Sequence, residues 1–166
     1  MAETLHIDWP TPPAGFSLGA HDVHVWAATL LLPQERAAIY ESSLSTDERT
    51  RTARFMFERD RRRFVAGRGI LRAILSNYIQ RQPAQIRFDY SERGKPSLAG
   101  LSSNEQIHFN LAHSEDLAVV AVSRIPGIGV DVERLRPMND AEGIAERFFS
   151  ARESKLLKSL PSDQKL

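Results

Sequence analysis

Asp131 and Glu133, one residue apart in Gly129-Val130-Asp131-Val132-Glu133, are the pair of side chains best spaced for metal chemistry. Read as a strand, that run sends Val130 and Val132 to one face and both acids to the other. The two Cα atoms then lie roughly 6.6–6.8 Å apart. Carboxylates so placed can converge on one hard cation and leave positions for water and phosphate oxygens, which is how Mg²⁺ is commonly held. An isolated D-x-E is more often a solvated strand face, so the assignment depends on its neighbours.

A second feature is positive. Between residues 49 and 72 lie Arg49, Arg51, Arg54, Arg59, Arg61, Arg62, Arg63, Arg68 and Arg72, nine arginines against Glu58 and Asp60, a local excess of seven charges in a chain of net charge +1. Such a cluster calls for an anion, and the guanidinium fork suits phosphate because it bonds two oxygens at once. Taken singly, Arg49, Arg54 and Arg59 read as solvated helix face. Gly94-Lys95-Pro96 has the form of an ordinary turn, and His113 ends an apolar run, where an isolated histidine is ordinarily structural.

Periodicity shows the elements that must position these groups. Residues 23–30 alternate and read as a first strand. Residues 32–44 read as a helix with Pro33 in its first turn. Ser45 and Glu48 form a capping box that opens a second helix at Thr46. Residues 61–80 carry Phe64, Ile70, Leu71, Ile74, Leu75 and Tyr78 at helical spacing and form the central packed helix. Gly67 and Gly69 inside it each cost about 1 kcal/mol relative to Ala, which close passage of another backbone would explain. Residues 86–90 and 96–98 form a strand and its short return, and three strands are expected within 107–133. A helix over 140–149, a second capping box at Ser150 and Glu153, and a last helix through Leu160 complete the chain. Strand, helix, capping box and helix thus occur in 23–57 and again in 117–160, a weak internal repeat.

The 166 residues, 42% hydrophobic and 26% charged, are those of a globular chain. With no cysteine, neither a disulfide framework nor a thiolate metal site is available. No apolar run approaches the roughly 20 residues of a membrane helix, and residues 1–19 have neither a basic start nor an apolar core of a leader. The expectation is a cytoplasmic protein with no membrane partner.

RGKP at 93–96, FNLAHS at 109–114, GVDVE at 129–133 and RFFS at 147–150 occur in one order at compatible spacing. In this the chain, over residues 23–160, resembles the Sfp-type 4′-phosphopantetheinyl transferases of the holo-acyl-carrier-protein synthase superfamily. The resemblance implies an α+β, pseudo-two-fold fold, with a complete first half and a truncated second half. The chain then divides into an extended lead-in (1–22), a first α+β subdomain (23–106) and a partial second one (107–166). It implies Mg²⁺-dependent transfer of the 4′-phosphopantetheine arm of coenzyme A to a serine of an apo acyl or peptidyl carrier protein, with release of adenosine 3′,5′-bisphosphate.

Carried over position by position, the resemblance assigns Asp131 and Glu133 to the metal and Arg51 and Arg63 to coenzyme phosphate, with Arg62 as a substitute. Gly94, Lys95 and Pro96 go to the adenine-holding turn, and Ala112 and His113 to the phosphates. Ala112 replaces the usual serine and leaves only its backbone amide. No catalytic base is assigned. The family's W-x-x-K-E-x-x-x-K segment, which supplies a third acid and lysines, is not in this sequence. Coenzyme and metal binding with slow or absent transfer is therefore expected of the 166-residue form, together with association of the uncovered second half with itself or with a C-terminal segment. The rival readings are a catalytically silent coenzyme binder, a Mg²⁺-dependent phosphohydrolase, and an Arg-rich nucleic-acid module, of which nucleic acid is the partner not expected.

Overall fold

The computed structural model describes residues 9–13, 15–92, 94–102, 106–136 and 140–161. Its contacts divide the chain into a larger unit, Thr11–Glu133, and a smaller one that contains the chain from Arg134 onward. The architecture is α+β.

In the larger unit, β1 (Val23–Thr29), β5 (Leu117–Ser123) and β4 (His108–Ser114) form an antiparallel sheet in the order β1-β5-β4. The β4–β5 hairpin turns through Glu115 and Asp116, with Glu115 in the left-handed region at φ 50°. The register places Trp26 opposite Val120 and Leu111 opposite Val120, so β5 is paired on both sides. This explains why its run of apolar residues is buried nearly throughout. Ala118, Val120, Val122 and Phe109 pack against Ala66, Ile70, Leu71 and Ile74. Those four lie on helix α3 (Glu58–Ile79), which is the central helix foreseen from periodicity.

The helix starts three residues before its expected position because the amides of Asp60 and Arg61 bond back to the Phe57 carbonyl. Glu58 and Asp60 also sit in its first turn, where acids complement the helix dipole. The apolar period begins only at Phe64, so this first turn carries no hydrophobic signal. Helices α1 (Gln34–Ser42) and α2 (Thr46–Thr52) precede it, and the Ser45–Glu48 capping box is formed in both directions. A 3-10 turn, Pro83–Gln85, precedes the expected strand 86–90, of which the ladder takes only residues 88–90. The remaining strands β2 (Phe88–Tyr90) and β3 (Pro96–Leu98) form a separate two-stranded ladder. The three-stranded sheet thus draws strands from both sides of residue 106.

The run 129–133 joins no ladder, in contrast to the strand expected there. Its amides are taken by side chains instead. Val130 N–H donates to Asn110 Oδ1 at 2.9 Å, and Val132 N–H to Asp131 Oδ1 at 2.9 Å. The alternation survives without the ladder, with Val130 and Val132 half-buried and Asp131 and Glu133 exposed.

The smaller unit contains α4 (Ala141–Phe148) and α5 (Ala151–Ser159), joined through a second complete capping box at Ser150 and Glu153. Ala145 is buried between the pair and its carbonyl accepts from Ser154 Oγ at 2.9 Å. Phe148, Phe149 and Leu156 remain exposed. Registered on the two capping serines, Ser45 and Ser150, the internal repeat has an offset of 105 residues. The counterpart of β1 is then 128–134 rather than β5. No helix among the described residues is long and apolar enough to cross a membrane.

The two glycines of α3 differ in what surrounds them. A Cβ built on Gly69 falls 2.1 Å from Tyr40 Cβ and 3.0 Å from Tyr40 Cα on α1, whereas one on Gly67 meets nothing closer than Leu30 Cδ2 at 3.8 Å. Gly69→Ala should therefore destabilise the protein by about 1–3 kcal/mol through overpacking against a backbone that cannot turn aside. Gly67→Ala should be neutral or gain up to about 1 kcal/mol of helix propensity. Chemical denaturation of the two variants checks the contrast.

Candidate functional site

The arginine cluster is sorted by α2 and α3 into distinct environments. Glu48, third residue of α2, accepts the Ser45 amide at 2.9 Å and is only 3% exposed. Its Oε2 also takes Arg72 Nε at 2.9 Å and Arg72 Nη2 at 2.7 Å, while Oε1 faces Arg68 Nε at 3.4 Å. One turn along α2, Arg51 lays its guanidinium 5.4 Å from the Phe64 ring centre. Arg51, Arg54, Arg68, Phe55 and Tyr90 then line one cleft of about 710 Å³.

Arg63 is elsewhere. Its Nε donates to Asp116 Oδ1 at 2.8 Å, and both residues line a different groove with Arg59, Arg61 and Arg62. Arg51 and Arg63, grouped together in the sequence reading, share no cleft. The mutual hydrogen bond raises the Arg63 pKa and holds the Asp116 carboxyl below the usual carboxylate range. Arg62 is taken up by Glu58 at 3.0 Å, one turn earlier on the same helix.

The Gly94-Lys95-Pro96 turn is shaped by local bonds. Gly94 adopts φ 76°, its amide donates to the Ser91 carbonyl at 2.8 Å, and Ser91 N–H donates to the Lys95 carbonyl at 3.0 Å. Lys95 Nζ reaches across to the Ile128 carbonyl at 3.0 Å. Lys95 and Pro96 therefore line a cleft of about 170 Å³ with His108, Phe109, Gly127 and Ile128.

The acids lie beside β4. Ser114 Oγ donates to Glu133 Oε2 at 3.2 Å, and Asn110 accepts from Val130 twenty residues on. These two bonds hold the 129–133 segment along the end of FNLAHS. Alternation puts Asn110, Ala112 and Ser114 on that face of β4, and His113, which is exposed, on the face shared with Phe109 and Leu111. Among the described residues no group of three or more His, Cys, Asp or Glu gathers as a metal site, so the acidic pair supplies two carboxylates.

Sequence reasoning missed Glu48, Arg68, Tyr90, Asn110 and Ser114. The capping box signalled Glu48 only as a helix start, and the motif FNLAHS contained Asn110 and Ser114 without showing what they bind. Nothing local distinguishes Arg68 from the other arginines.

A family model described as "4′-phosphopantetheinyl transferase, N-terminal" matches residues 32–125. The 4′-phosphopantetheinyl transferase HetI of Nostoc is 45% identical over 161 residues, covering 97% of this chain and 68% of that protein. The ffp transferase of Bacillus subtilis is 36% identical over 133 residues, 80% of this chain and 57% of its own length. The Sfp transferase of the same species is 34% identical over 122 residues, 74% and 52% respectively. The chain thus spans between about half and two thirds of the length of these relatives.

The lowered Asp116 pKa has a stability consequence of definite sign. A carboxyl whose folded pKa lies below its unfolded value contributes stability that is present above the unfolded pKa and lost as pH falls through the folded one. Arg63 stays charged throughout. The melting-temperature difference between the parent and Asp116→Asn should be present at neutral pH and shrink below about pH 4, as thermal melts across that range will measure.

Proposed function

Since this chain belongs to the family of 4′-phosphopantetheinyl transferases, we propose that it binds coenzyme A and takes part in Mg²⁺-dependent transfer of the 4′-phosphopantetheine arm to a serine of an apo acyl or peptidyl carrier protein. A cytoplasmic setting is part of the same reading. In the reaction the serine hydroxyl attacks the pyrophosphate phosphorus that bears the arm, and the new O–P bond replaces the bond to the leaving phosphate. Adenosine 3′,5′-bisphosphate departs with the electron pair, and the hydroxyl loses its proton. Such a step needs positioned phosphates and neutralised charge more than covalent chemistry from the protein.

The observation that carries this reading is the pair of bonds, Asn110 to Val130 and Ser114 to Glu133, that hold GVDVE against FNLAHS. The acidic pair has the donor chemistry of a Mg²⁺ site. It is all-oxygen and exposed, and each carboxylate has one oxygen engaged by a neutral N–H or O–H donor, which leaves a second oxygen on each. A bound Mg²⁺ neutralises phosphate charge and activates phosphorus toward attack. In this reading the Gly94–Pro96 turn receives the adenine, Arg51 the 3′-phosphate, and Ala112 and His113 lie toward the pyrophosphate. Arg63 serves the phosphates only if it exchanges Asp116 for them.

Mass spectrometry of an apo carrier protein incubated with the chain, coenzyme A and Mg²⁺ tests the proposal, transfer adding one phosphopantetheine arm. Coenzyme binding without transfer would reduce the reading to a silent coenzyme binder. Asp131→Ala should weaken Mg²⁺-dependent coenzyme binding by more than the roughly 10–100-fold that loss of an outer partner costs a metal site, with an unchanged melting curve. Equal metal dependence in variant and parent would remove Asp131 from the site.

A further inference from the structure

The turn of the β4–β5 hairpin joins the acidic pair to Arg63. At one end of the turn, Ser114 Oγ donates to Glu133 Oε2 at 3.2 Å. Two residues on, Asp116 Oδ1 accepts from Arg63 Nε at 2.8 Å. Ser114 and Leu117 are the last register pair of the hairpin, so only Glu115 and Asp116 lie between them. Whatever fixes the tip also fixes Ser114.

Other elements hold that tip in place. Glu115 stands at φ 50°, a region that a non-glycine residue keeps only when its surroundings impose it. The Asp116 carbonyl accepts the Leu30 amide, one residue past β1, at 2.7 Å, and its carboxylate takes Arg63 from α3. Backbone and side chain of one residue thereby fasten the turn to β1 and to the central helix.

Arg63 also differs from its neighbours in the same groove. Its side chain is 18% exposed, whereas those of Arg59, Arg61 and Arg62 are 72%, 47% and 77% exposed. Their pairs with Asp60, Glu41 and Glu58 are longer and wetter, and such pairs contribute little. The Arg63–Asp116 bond is the short, shielded one, and it spans 53 residues of sequence.

We propose that Arg63 and Asp116 form a clasp that positions the acidic pair. Arg63 acts through Asp116, the hairpin turn and Ser114 to hold the Glu133 carboxylate where it can take a divalent cation. It is then a positioning residue and not a phosphate ligand. The inference rests on the reading of Asp131 and Glu133 as a Mg²⁺ site.

Exchanging the two charges separates these roles. Calorimetric titration of the full chain with coenzyme A, repeated over a series of Mg²⁺ concentrations, reads the Mg²⁺ needed for half of the gain in affinity. Arg63→Asp and Asp116→Arg should each raise that requirement by about tenfold, the lower end of what loss of an outer partner costs a metal site. The doubly exchanged variant restores an ion pair of reversed sense and should recover most of the loss. A phosphate ligand cannot behave so, because a carboxylate in place of Arg63 repels phosphate whatever stands at 116. Ser114→Ala should raise the requirement similarly, and Arg63→Asp should then add little to it, since both act along one chain of contacts. The preference for coenzyme A over its 3′-dephospho form, measured at saturating Mg²⁺, should stay at the parent value throughout. Where a charge reversal does not fold, Arg63→Gln and Asp116→Asn replace it, and their effects on the Mg²⁺ requirement should likewise fail to add.

An unchanged Mg²⁺ requirement in the single variants overturns the inference. An exchanged pair no better than Arg63→Asp alone, or a preference for the 3′-phosphate that falls with Arg63, also overturns it and returns Arg63 to phosphate. Coenzyme binding by the parent that ignores Mg²⁺ overturns it together with the acidic-pair reading and leaves the coenzyme reading standing. A parent that binds no coenzyme A overturns all three.

Discussion

The buried carboxylate of Glu48 is the contact on which the larger unit depends. It closes the capping box of α2, receives Arg72 from α3, and through Arg72 reaches carbonyls at both ends of the 3-10 turn that precedes β2. Removing one partner of such a pair ordinarily costs about 3–5 kcal/mol, because the other charge is left buried and unpaired. The same contact fixes how Arg51 on α2 and Arg68 on α3 come to line one cleft. An element that both caps a helix and neutralises a buried arginine leaves little freedom in how the two helices meet. The close seat of Tyr40 on Gly69 removes more of it for α1.

The sheet positions the acidic pair of the candidate site by an indirect route. β4 is an edge strand of its sheet, with β5 on one side, and along its end side chains hold the neighbouring segment. Asn110 takes the Val130 amide and Ser114 the Glu133 carboxylate, so the run 129–133 is held without a ladder. The result keeps the two-residue alternation of a strand while both carboxylates remain exposed. Alternation is a property of extended backbone; ladder membership needs a partner.

The repeat shows how far identical local chemistry can diverge. Ser45 with Glu48 and Ser150 with Glu153 form the same reciprocal cap. Glu48 is buried against two arginines, whereas Glu153 lies on an exposed helix, its carboxyl held below the usual range by the Ser150 hydroxyl and amide. Leu44, just before the first cap, is 3% exposed, and Phe149, just before the second, is 54% exposed. Neither difference is written in the capping motif.

What the sequence determined by itself was what short-range physics controls. Both capping boxes, the first strand, the central helix from Phe64 onward and the Ser91–Lys95 turn follow from side chains within a few residues of one another, and the order of RGKP, FNLAHS and GVDVE carried the family. Tertiary structure alone decided which arginine lines which cleft. Arg51 and Arg63 lie on different helices, and their assignments depend on Phe64 beneath one and Asp116, 53 residues away, beside the other. It also decided that Asp131 and Glu133 sit on an unladdered segment and that Arg68 is desolvated with half a counter-charge. Burial and long-range pairing set these outcomes. No window of local sequence contains the partners that fix them.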